Sequence, residues 1–294
     1  MNDFHLDHRQ VRHAFGRAAA SYEKHDVLQR EVQQDLLSRL DFYLDNPARV
    51  LDLGAGTGRG AALLKKRYPK AEVIAMDMAL PMLREAKQHQ RLLRPFARVV
   101  GDAMQLPLAD HSIDVLHSNL CFQWCDDLAT LFNECVRVLK PGGFLVFSTL
   151  GPDTLRELRA AWASDGGTPH VARFLDMHDV GDAVLAAGLR DPVLDVMRIT
   201  MTYDKPQGVL RDLKGLGATN ADAARVRGLT GRKRFRQMLD AYENLRVNGT
   251  IPATWEVVTA HAWGPPPGQP RRLPMGGEMA SFSVDQLRKS RSPR

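Results

Sequence analysis

The chain has 294 residues, of which 44% are hydrophobic and 25% are charged, and its formal net charge is +6. This is the composition of an ordinary globular protein, so it excludes a disordered, collagenous or fibrous chain. The sequence has no uninterrupted apolar run of about 18 residues, so we expect no membrane-spanning helix and no membrane partner.

Two amphipathic helices are predicted at the start of the chain. Val11, Phe15 and Tyr22 recur at helical spacing, and a second apolar stripe runs over residues 28–40 before an Asn-Pro pair ends it. We interpret residues 1–46 as an N-terminal helical lid. The polar first residues lack the layout of an export signal, so we expect a cytoplasmic protein.

The next hundred residues alternate between strand and helix patterns. Strands are predicted at residues 49–53, 72–76, 98–100, 114–118 and 144–149, and helices at residues 61–68, 81–89 and 128–139. This alternation is typical of a mostly parallel, twisted sheet with helices on both faces.

The pattern changes after residue 149. Helices are predicted at residues 154–162, 180–187, 207–216 and 233–245, long strands at residues 193–203 and 255–263, and a Gly-rich loop at residues 164–169. We interpret residues 47–150 as the core of one α/β domain, and residues 151–263 as its remainder with helical insertions. The residues from 264 to 294 begin with GPPPGQP and are expected to form a disordered basic tail.

A glycine-rich turn is the most informative motif. In VLDLGAGTGRG, residues 50–60, a strand leads into Gly54, Gly56 and Gly58, and a helix follows. Glycines permit positive φ and let a ligand approach the backbone, and a helix N-terminus offers free N–H groups to a carboxylate or phosphate. A dinucleotide fingerprint would place its third glycine at position 59, which is Arg59 here.

Two carboxylates follow at the ends of the next strands. Asp77 can accept both hydroxyls of a ribose, and Asp102, followed by Ala103, can present an acceptor and an N–H to an adenine edge. Because open parallel sheets bind ligands at the carboxyl ends of their strands, the pattern predicts a nucleoside site there.

LDLGAGTG, Asp77, Asp102 and RVLKPGG (residues 137–143) together closely resemble the class I S-adenosylmethionine-dependent methyltransferases. The resemblance implies a Rossmann-like fold that uses S-adenosylmethionine as co-substrate, with the glycine turn facing its amino acid part and Asn119 lining the methyl-transfer mouth. The cofactor-binding residues that it implies are Asp52, Gly54, Ala55, Gly56, Gly58, Asp77, Met78, Asp102, Ala103 and Asn119. Tyr22, at the end of the first predicted helix, is a further candidate that could close over the cofactor. For Asp52 a role in bracing the loop, and for Tyr22 simple core packing, stay open.

Further blocks resemble the malonyl-[acyl-carrier protein] O-methyltransferases of biotin synthesis. They lie at residues 11–29, 147–159, 170–188, 212–220 and 228–231. Two positions depart from that pattern, because Glu23 stands where Asp is expected and Ala172 where Asn is expected. The resemblance implies methyl transfer to the free carboxylate of a malonyl thioester, which would then serve pimelate and biotin synthesis.

A carboxylate acceptor is already ionised at neutral pH, so no general base is required. It still needs orientation, for which the candidates are Arg173, His170, Arg156 and Trp124. An exposed arginine on a lid surface is the alternative for each of the arginines. Arg159 and His178 lie in the same blocks, and Phe122 is a second candidate wall of the acyl channel.

Positive charge is concentrated late in the chain. Residues 225–246 carry seven basic and two acidic residues, a local charge of +5, and residues 269–294 carry six and two, a local charge of +4. Such a surface fits an acidic acyl carrier protein, with malonyl-coenzyme A as the smaller substitute. A solvated helix face is the alternative. We expect no nucleic-acid partner, because a basic patch by itself is weak evidence for nucleic-acid binding.

The three cysteines, Cys121, Cys125 and Cys135, do not form a paired metal-binding pattern. Although His117 is near, we expect reduced thiols and no metal. Two other functions stay open at this point, namely methylation of another small carboxylic acid or of a quinone precursor. An RNA methyltransferase is disfavoured because SNLCFQW, residues 118–124, replaces the Pro-Pro-Tyr type of loop.

Overall fold

The computed structural model describes residues 5–92, 94–163, 170–225, 228, 230–267, and the backbone of residues 271–272 and 278–279. The helices are α1 (His8–Ala18), α2 (Val27–Arg39), α3 (Arg59–Arg67), α4 (Leu80–Glu85), α5 (Leu128–Val138), α6 (Arg156–Ala161), α7 (Met177–Ala186), α8 (Pro206–Leu216) and α9 (Arg232–Glu243). Short 3-10 helices lie at Tyr22–Lys24, Leu40–Phe42, Ala86–His89 and Phe122–Trp124.

The strands are β1 (Arg49–Leu53), β2 (Glu72–Asp77), β3 (Ala97–Val100), β4 (Ile113–Ser118), β5 (Leu139–Leu150), β6 (Arg190–Tyr203), β7 (Ile251–Trp263), β8 (Arg271–Arg272) and β9 (Glu278–Met279). The first seven form one sheet in the order β3-β2-β1-β4-β5-β7-β6, and β8 pairs with β9. Strands β1 to β5 are parallel, whereas β7 runs antiparallel to both β5 and β6. The expected α/β fold with a mostly parallel sheet is therefore confirmed.

The core lies on both faces of this sheet. Val50 of β1 and Val115 of β4 belong to one buried apolar cluster, whereas their chain neighbours Leu51 and Leu116 belong to another. Successive side chains of a strand point to opposite faces, so both faces are covered. Strands buried on both sides are apolar throughout, and this is why the central strands were readable from sequence.

The start of β5 differs from the sequence expectation. The strand predicted at residues 144–149 begins at Leu139, so Pro141–Gly143 lies within β5, where the pairing with β4 shifts register. Gly142 adopts φ +72°, which lets the chain bend without leaving the sheet. The predicted loop at residues 164–169 lies outside the described residues, as does most of the predicted tail.

Candidate active site

A cleft of about 710 Å³ opens at the carboxyl ends of the first four strands. It brings together nine residues singled out from the sequence, namely Tyr22, Gly54, Gly56, Asp77, Met78, Asp102, Ala103, Asn119 and Trp124. The parallel strands deliver these side chains to one edge because each loop leaves the sheet at the same end.

The glycine turn forms the floor of the cleft. Gly54, Gly56 and Gly58 have φ of +74°, +53° and +80°. The amides of Gly54 and Ala55 donate to the Met76 carbonyl at 2.8 and 2.9 Å, so the turn is fastened to β2. Residues that carry a Cβ atom rarely adopt such positive φ angles, so the shape of this turn requires glycine. Gly58 precedes α3 and lies outside the lining of the cleft.

Asp77 ends β2 and faces the cleft. Its Oδ2 accepts a hydrogen bond from the Gly56 amide at 2.9 Å, and its Oδ1 accepts one from the Ala79 amide at 2.8 Å. Burial raises the pKa of Asp77 to about 6, although both amide donors favour the ionised form. Asp102 is exposed at the end of β3, and its Oδ1 accepts from the Met104 amide at 2.9 Å.

Helix α1 forms the roof. His8, Val11 and Phe15 line the cleft from the same side of the helix, and none of them was singled out as a site residue from the sequence. The apolar stripe that predicted α1 was the signal that could have found Val11 and Phe15. His8 lies 3.0 Å from Asp126 through Nε2 and Oδ1, which fixes the ring at the edge of the cleft.

Tyr22 follows α1 and lines two cavities. Besides the cleft, it borders a cavity of about 440 Å³ on the α2 side of the glycine turn, which also includes Ala55 and Asp52. Burial raises the pKa of Tyr22, so its hydroxyl is a neutral donor at any physiological pH. Arg59 at the start of α3 donates to Glu23 at 2.9 Å, and this contact ties the segment after α1 to the glycine turn.

The second cavity contains buried acceptors that lack partners. Among the described residues, Gln29 Oε1 and Asp52 Oδ2 are buried without a hydrogen bond, and both residues line this cavity. Such groups are costly unless a ligand or water supplies a donor. Two acceptors beside the amides of the glycine turn suit a group that carries an ammonium and a carboxylate. The amino acid part of S-adenosylmethionine has this chemistry, so the residues present fit that co-substrate.

Asp52 also has a bracing contact. Its Oδ1 accepts from His117 Nδ1 at 2.8 Å, and Asp52 is 2% exposed. One oxygen thus holds β1 to β4, while the other faces the second cavity. The two roles left open for Asp52 are compatible in this arrangement.

The four substrate-orienting candidates lie apart. Trp124 lines the cleft, and Arg173 lines a mainly apolar cavity of about 520 Å³ that shares Cys125 with the cleft. The rings of His170 and Trp162 stack with their centroids 3.7 Å apart, and Arg156 Nε lies 3.2 Å from Glu157 Oε1.

The described residues contain no group of three or more His, Cys, Asp or Glu side chains that could hold a metal ion. Burial raises the pKa of Cys121 to about 12 and that of Cys125 well above its ordinary value. Both thiols are therefore neutral in the free protein. Every helix in the described part of the chain is too short or too polar to cross a lipid bilayer.

Comparisons with a family model and with curated proteins agree. Residues 51–147 match the family model described as a methyltransferase domain. A malonyl-[acyl-carrier protein] O-methyltransferase from Laribacter hongkongensis is 48% identical over 95% of this chain and 97% of its own length. One from Xylella fastidiosa is 46% identical over 96% of each chain.

Solved structures share the fold. The YcgJ protein from Bacillus subtilis has a TM-score of 0.57 at 19% identity, covering 79% of this chain and 98% of its own. Phosphoethanolamine N-methyltransferase 2 from Haemonchus contortus, in complex with S-adenosyl-L-methionine, has a TM-score of 0.50 at 20% identity, covering 79% and 52%.

Proposed function

Because this chain belongs to the malonyl-[acyl-carrier protein] O-methyltransferase family, we propose that it methylates the free carboxylate of a malonyl thioester on acyl carrier protein. The observation that carries this proposal is the extent of the match. Relatives of that name align with 95% and 96% of the chain, and the alignment therefore extends well beyond the methyltransferase domain at residues 51–147. A match confined to that domain would have supported methyl transfer without a substrate class.

When bound, S-adenosylmethionine supplies an electrophilic methyl group on a sulfonium. The S–CH3 bond breaks as an O–CH3 bond forms to the acceptor carboxylate, leaving S-adenosylhomocysteine and a malonyl methyl ester. The acceptor carboxylate is ionised already, so the protein does not have to remove a proton. Holding the reactants in line can contribute about 7–11 kcal/mol toward the barrier.

We assign the cofactor to the two cavities that meet at the glycine turn. Asp77 offers acceptors to the ribose, and Asp102 with Ala103 offers an acceptor and a donor to the adenine edge. The unpartnered oxygens of Gln29 and Asp52 would receive the ammonium group. Phe15 and the other roof residues would exclude water.

Arg173 is the strongest of the candidates for holding the acceptor. It is exposed, has no hydrogen bond or ion pair with another described residue, and borders the cavity next to Cys125. Arg156, in contrast, is already paired with Glu157. An unpaired guanidinium can bind a carboxylate through two parallel hydrogen bonds. One carboxylate oxygen must stay free, since it is the nucleophile.

The carrier protein would dock on α9. Arg232, Lys233, Arg234 and Arg236 are exposed along this helix, while Met238 and Tyr242 anchor it to the core. A basic helix face steers an acidic partner and accelerates its association.

The test is a methyl-transfer assay with malonyl-, succinyl- and glutaryl-carrier protein, together with the free dicarboxylic acids. We expect malonyl-carrier protein to react fastest and its product to lose one negative charge in native electrophoresis. Preferential methylation of a free acid, or of a quinone precursor, would overturn the proposed substrate while leaving the cofactor assignment intact.

A further inference from the structure

A buried series of hydrogen bonds links helix α2 to the edge of the sheet at which the cleft opens. Asn119 Nδ2 lies 3.3 Å from Gln33 Oε1, Gln33 Nε2 lies 2.9 Å from His117 Nε2, and His117 Nδ1 lies 2.8 Å from Asp52 Oδ1. Gln33, His117 and Asp52 are only 5%, 0% and 2% exposed. Water therefore does not compete for these contacts.

The chemistry of the groups fixes the direction of the chain. The amide nitrogen of Gln33 can only donate, so His117 Nε2 accepts and the ring proton lies on Nδ1. That proton is donated to the Asp52 carboxylate. Every donor thus points toward Asp52, and each hydrogen bond orients the next one.

Asn119 is held from two sides as a result. Its Nδ2 also donates to the Gln29 carbonyl on α2 at 2.9 Å, and its Oδ1 accepts from Ser148 Oγ of β5 at 3.0 Å. Ser148 Oγ in turn accepts from the Leu120 amide at 2.8 Å. Asn119 belongs to the wall of both the 710 Å³ cleft and the 440 Å³ cavity.

We propose that Gln33 and His117 are positioning residues for methyl transfer. His117 lines neither cavity and Gln33 borders the 440 Å³ cavity, and together they fix Asn119 where the two cavities meet and tie α2 to the sheet. The lid helix is then an integral part of the catalytic geometry. This inference rests on the proposed function, since it assigns the methyl-transfer mouth to Asn119.

The first test replaces Gln33 by a side chain of similar size without polar atoms. Gln33→Leu should lower kcat for malonyl-carrier protein by about 10- to 100-fold, because a small misplacement at the reacting centre has effects of that order. The KM for the carrier protein should stay within about threefold. Thr154→Val is the control, because it removes another buried hydrogen bond, from Thr154 Oγ1 to the Glu256 carbonyl at 3.1 Å. It should lower Tm comparably and leave kcat unchanged.

The second test restores one of the two hydrogen bonds made by the Gln33 side chain. In Gln33→Glu the new carboxylate still accepts from Asn119, but His117 must take up a second proton to donate to it. The charged groups facing His117 are then Asp52 on β1 and the new carboxylate on α2, while its β5 neighbour Val146 is apolar. At saturating S-adenosylmethionine, Gln33→Glu should keep a higher kcat than Gln33→Leu, because its contact with Asn119 persists.

A third measurement does not depend on activity. The side-chain amide protons of Asn119 should exchange slowly with solvent in wild type and much faster in Gln33→Leu. Unchanged exchange, or a Gln33→Leu enzyme with wild-type kcat, would overturn the positioning role. If wild type itself failed to methylate any malonyl thioester, the proposed function would fall, and the exchange experiment would still decide the inference.

Discussion

Phe15 of α1 packs edge-on against Trp124, with the ring centroids 5.1 Å apart and the ring planes at 87°. Phe15 belongs to α1, and Trp124 belongs to the segment that follows β4, so this pair joins the helix over the cleft to the chain that leaves β4. Both rings line the cleft. The position of α1 over the cleft therefore depends in part on this apolar contact.

Replacing Phe15 by alanine should weaken cofactor binding. The loss of an edge-to-face pair and of apolar contact costs about 1.4 kcal/mol, which corresponds to a tenfold higher Kd for S-adenosylmethionine in calorimetry. Phe42→Ala is the control, because Phe42 stacks on His261 at 5.0 Å and is not part of the cleft. Equal Kd values for the two variants would contradict the role of α1 as a roof.

The glycine turn gives a steric prediction. A Cβ on Gly54 would lie 2.4 Å from Cys121 Sγ and 2.5 Å from Cys121 Cβ, at a φ of +74°. Gly54→Ala should therefore destabilise the protein and abolish cofactor binding, and Cys121→Ala should not rescue it because the Cβ contact persists. Gly142→Ala has a similar φ of +72° and no atom within 4 Å, so only strain of about 1 kcal/mol is expected there. Thermal unfolding and calorimetry separate these outcomes.

The strand ends and the glycine turn could be predicted because their signals are local. The antiparallel insertion of β7 between β5 and β6 could not, since it depends on pairing between distant segments. Gln33 was also missed, because a glutamine beside Val32 and Leu36 interrupts the apolar stripe of α2 without indicating a partner. Its partner His117 lies 84 positions further along the chain, so only the folded structure reveals the contact.

Cofactor binding should depend on pH through Asp77. In the proposed assignment the ionised carboxylate would accept the ribose hydroxyls, and burial raises the pKa of Asp77 to about 6 in the free protein. Affinity should therefore fall below pH 6, approaching tenfold per pH unit, and binding near pH 6 should release protons. Calorimetry in buffers of different ionisation enthalpy measures this release.

Unfolding through Asp77 would not explain the expected loss of S-adenosylmethionine affinity below pH 6. Since the folded pKa of Asp77 exceeds its ordinary value of 3.8, the contribution of Asp77 to stability grows as the pH falls through 6 toward 4. Asp77→Asn should bind more weakly at all pH values and lose the dependence near pH 6. A wild-type affinity that is constant from pH 7 to pH 5 would refute the assignment.

Arg173→Ala should impair recognition of the acceptor alone. Loss of a charge-assisted hydrogen bond of about 1.5–3 kcal/mol corresponds to a KM for the malonyl thioester roughly 10- to 100-fold higher. The Kd for S-adenosylmethionine should not change, because Arg173 lies outside the cofactor cleft. Arg211→Ala, at another exposed arginine, is the control. Unchanged steady-state kinetics would remove Arg173 from the acceptor site.

Charge reversal on α9 should lower kcat/KM for malonyl-carrier protein much more than kcat/KM for malonyl-coenzyme A. With Arg232, Lys233 and Arg236 all changed to Glu, kcat/KM for malonyl-carrier protein should fall at least tenfold at low salt, because steering of an acidic partner is lost. The kcat/KM for malonyl-coenzyme A should stay within about twofold of the wild-type value. The loss of kcat/KM with malonyl-carrier protein should become smaller as salt screens the charges. Reversal of the exposed Lys66, Lys70 and Lys87 changes the net charge equally and should leave both substrates unaffected. If both substrates slowed in parallel on the α9 variant, the helix would be acting on the fold or the active site rather than on docking.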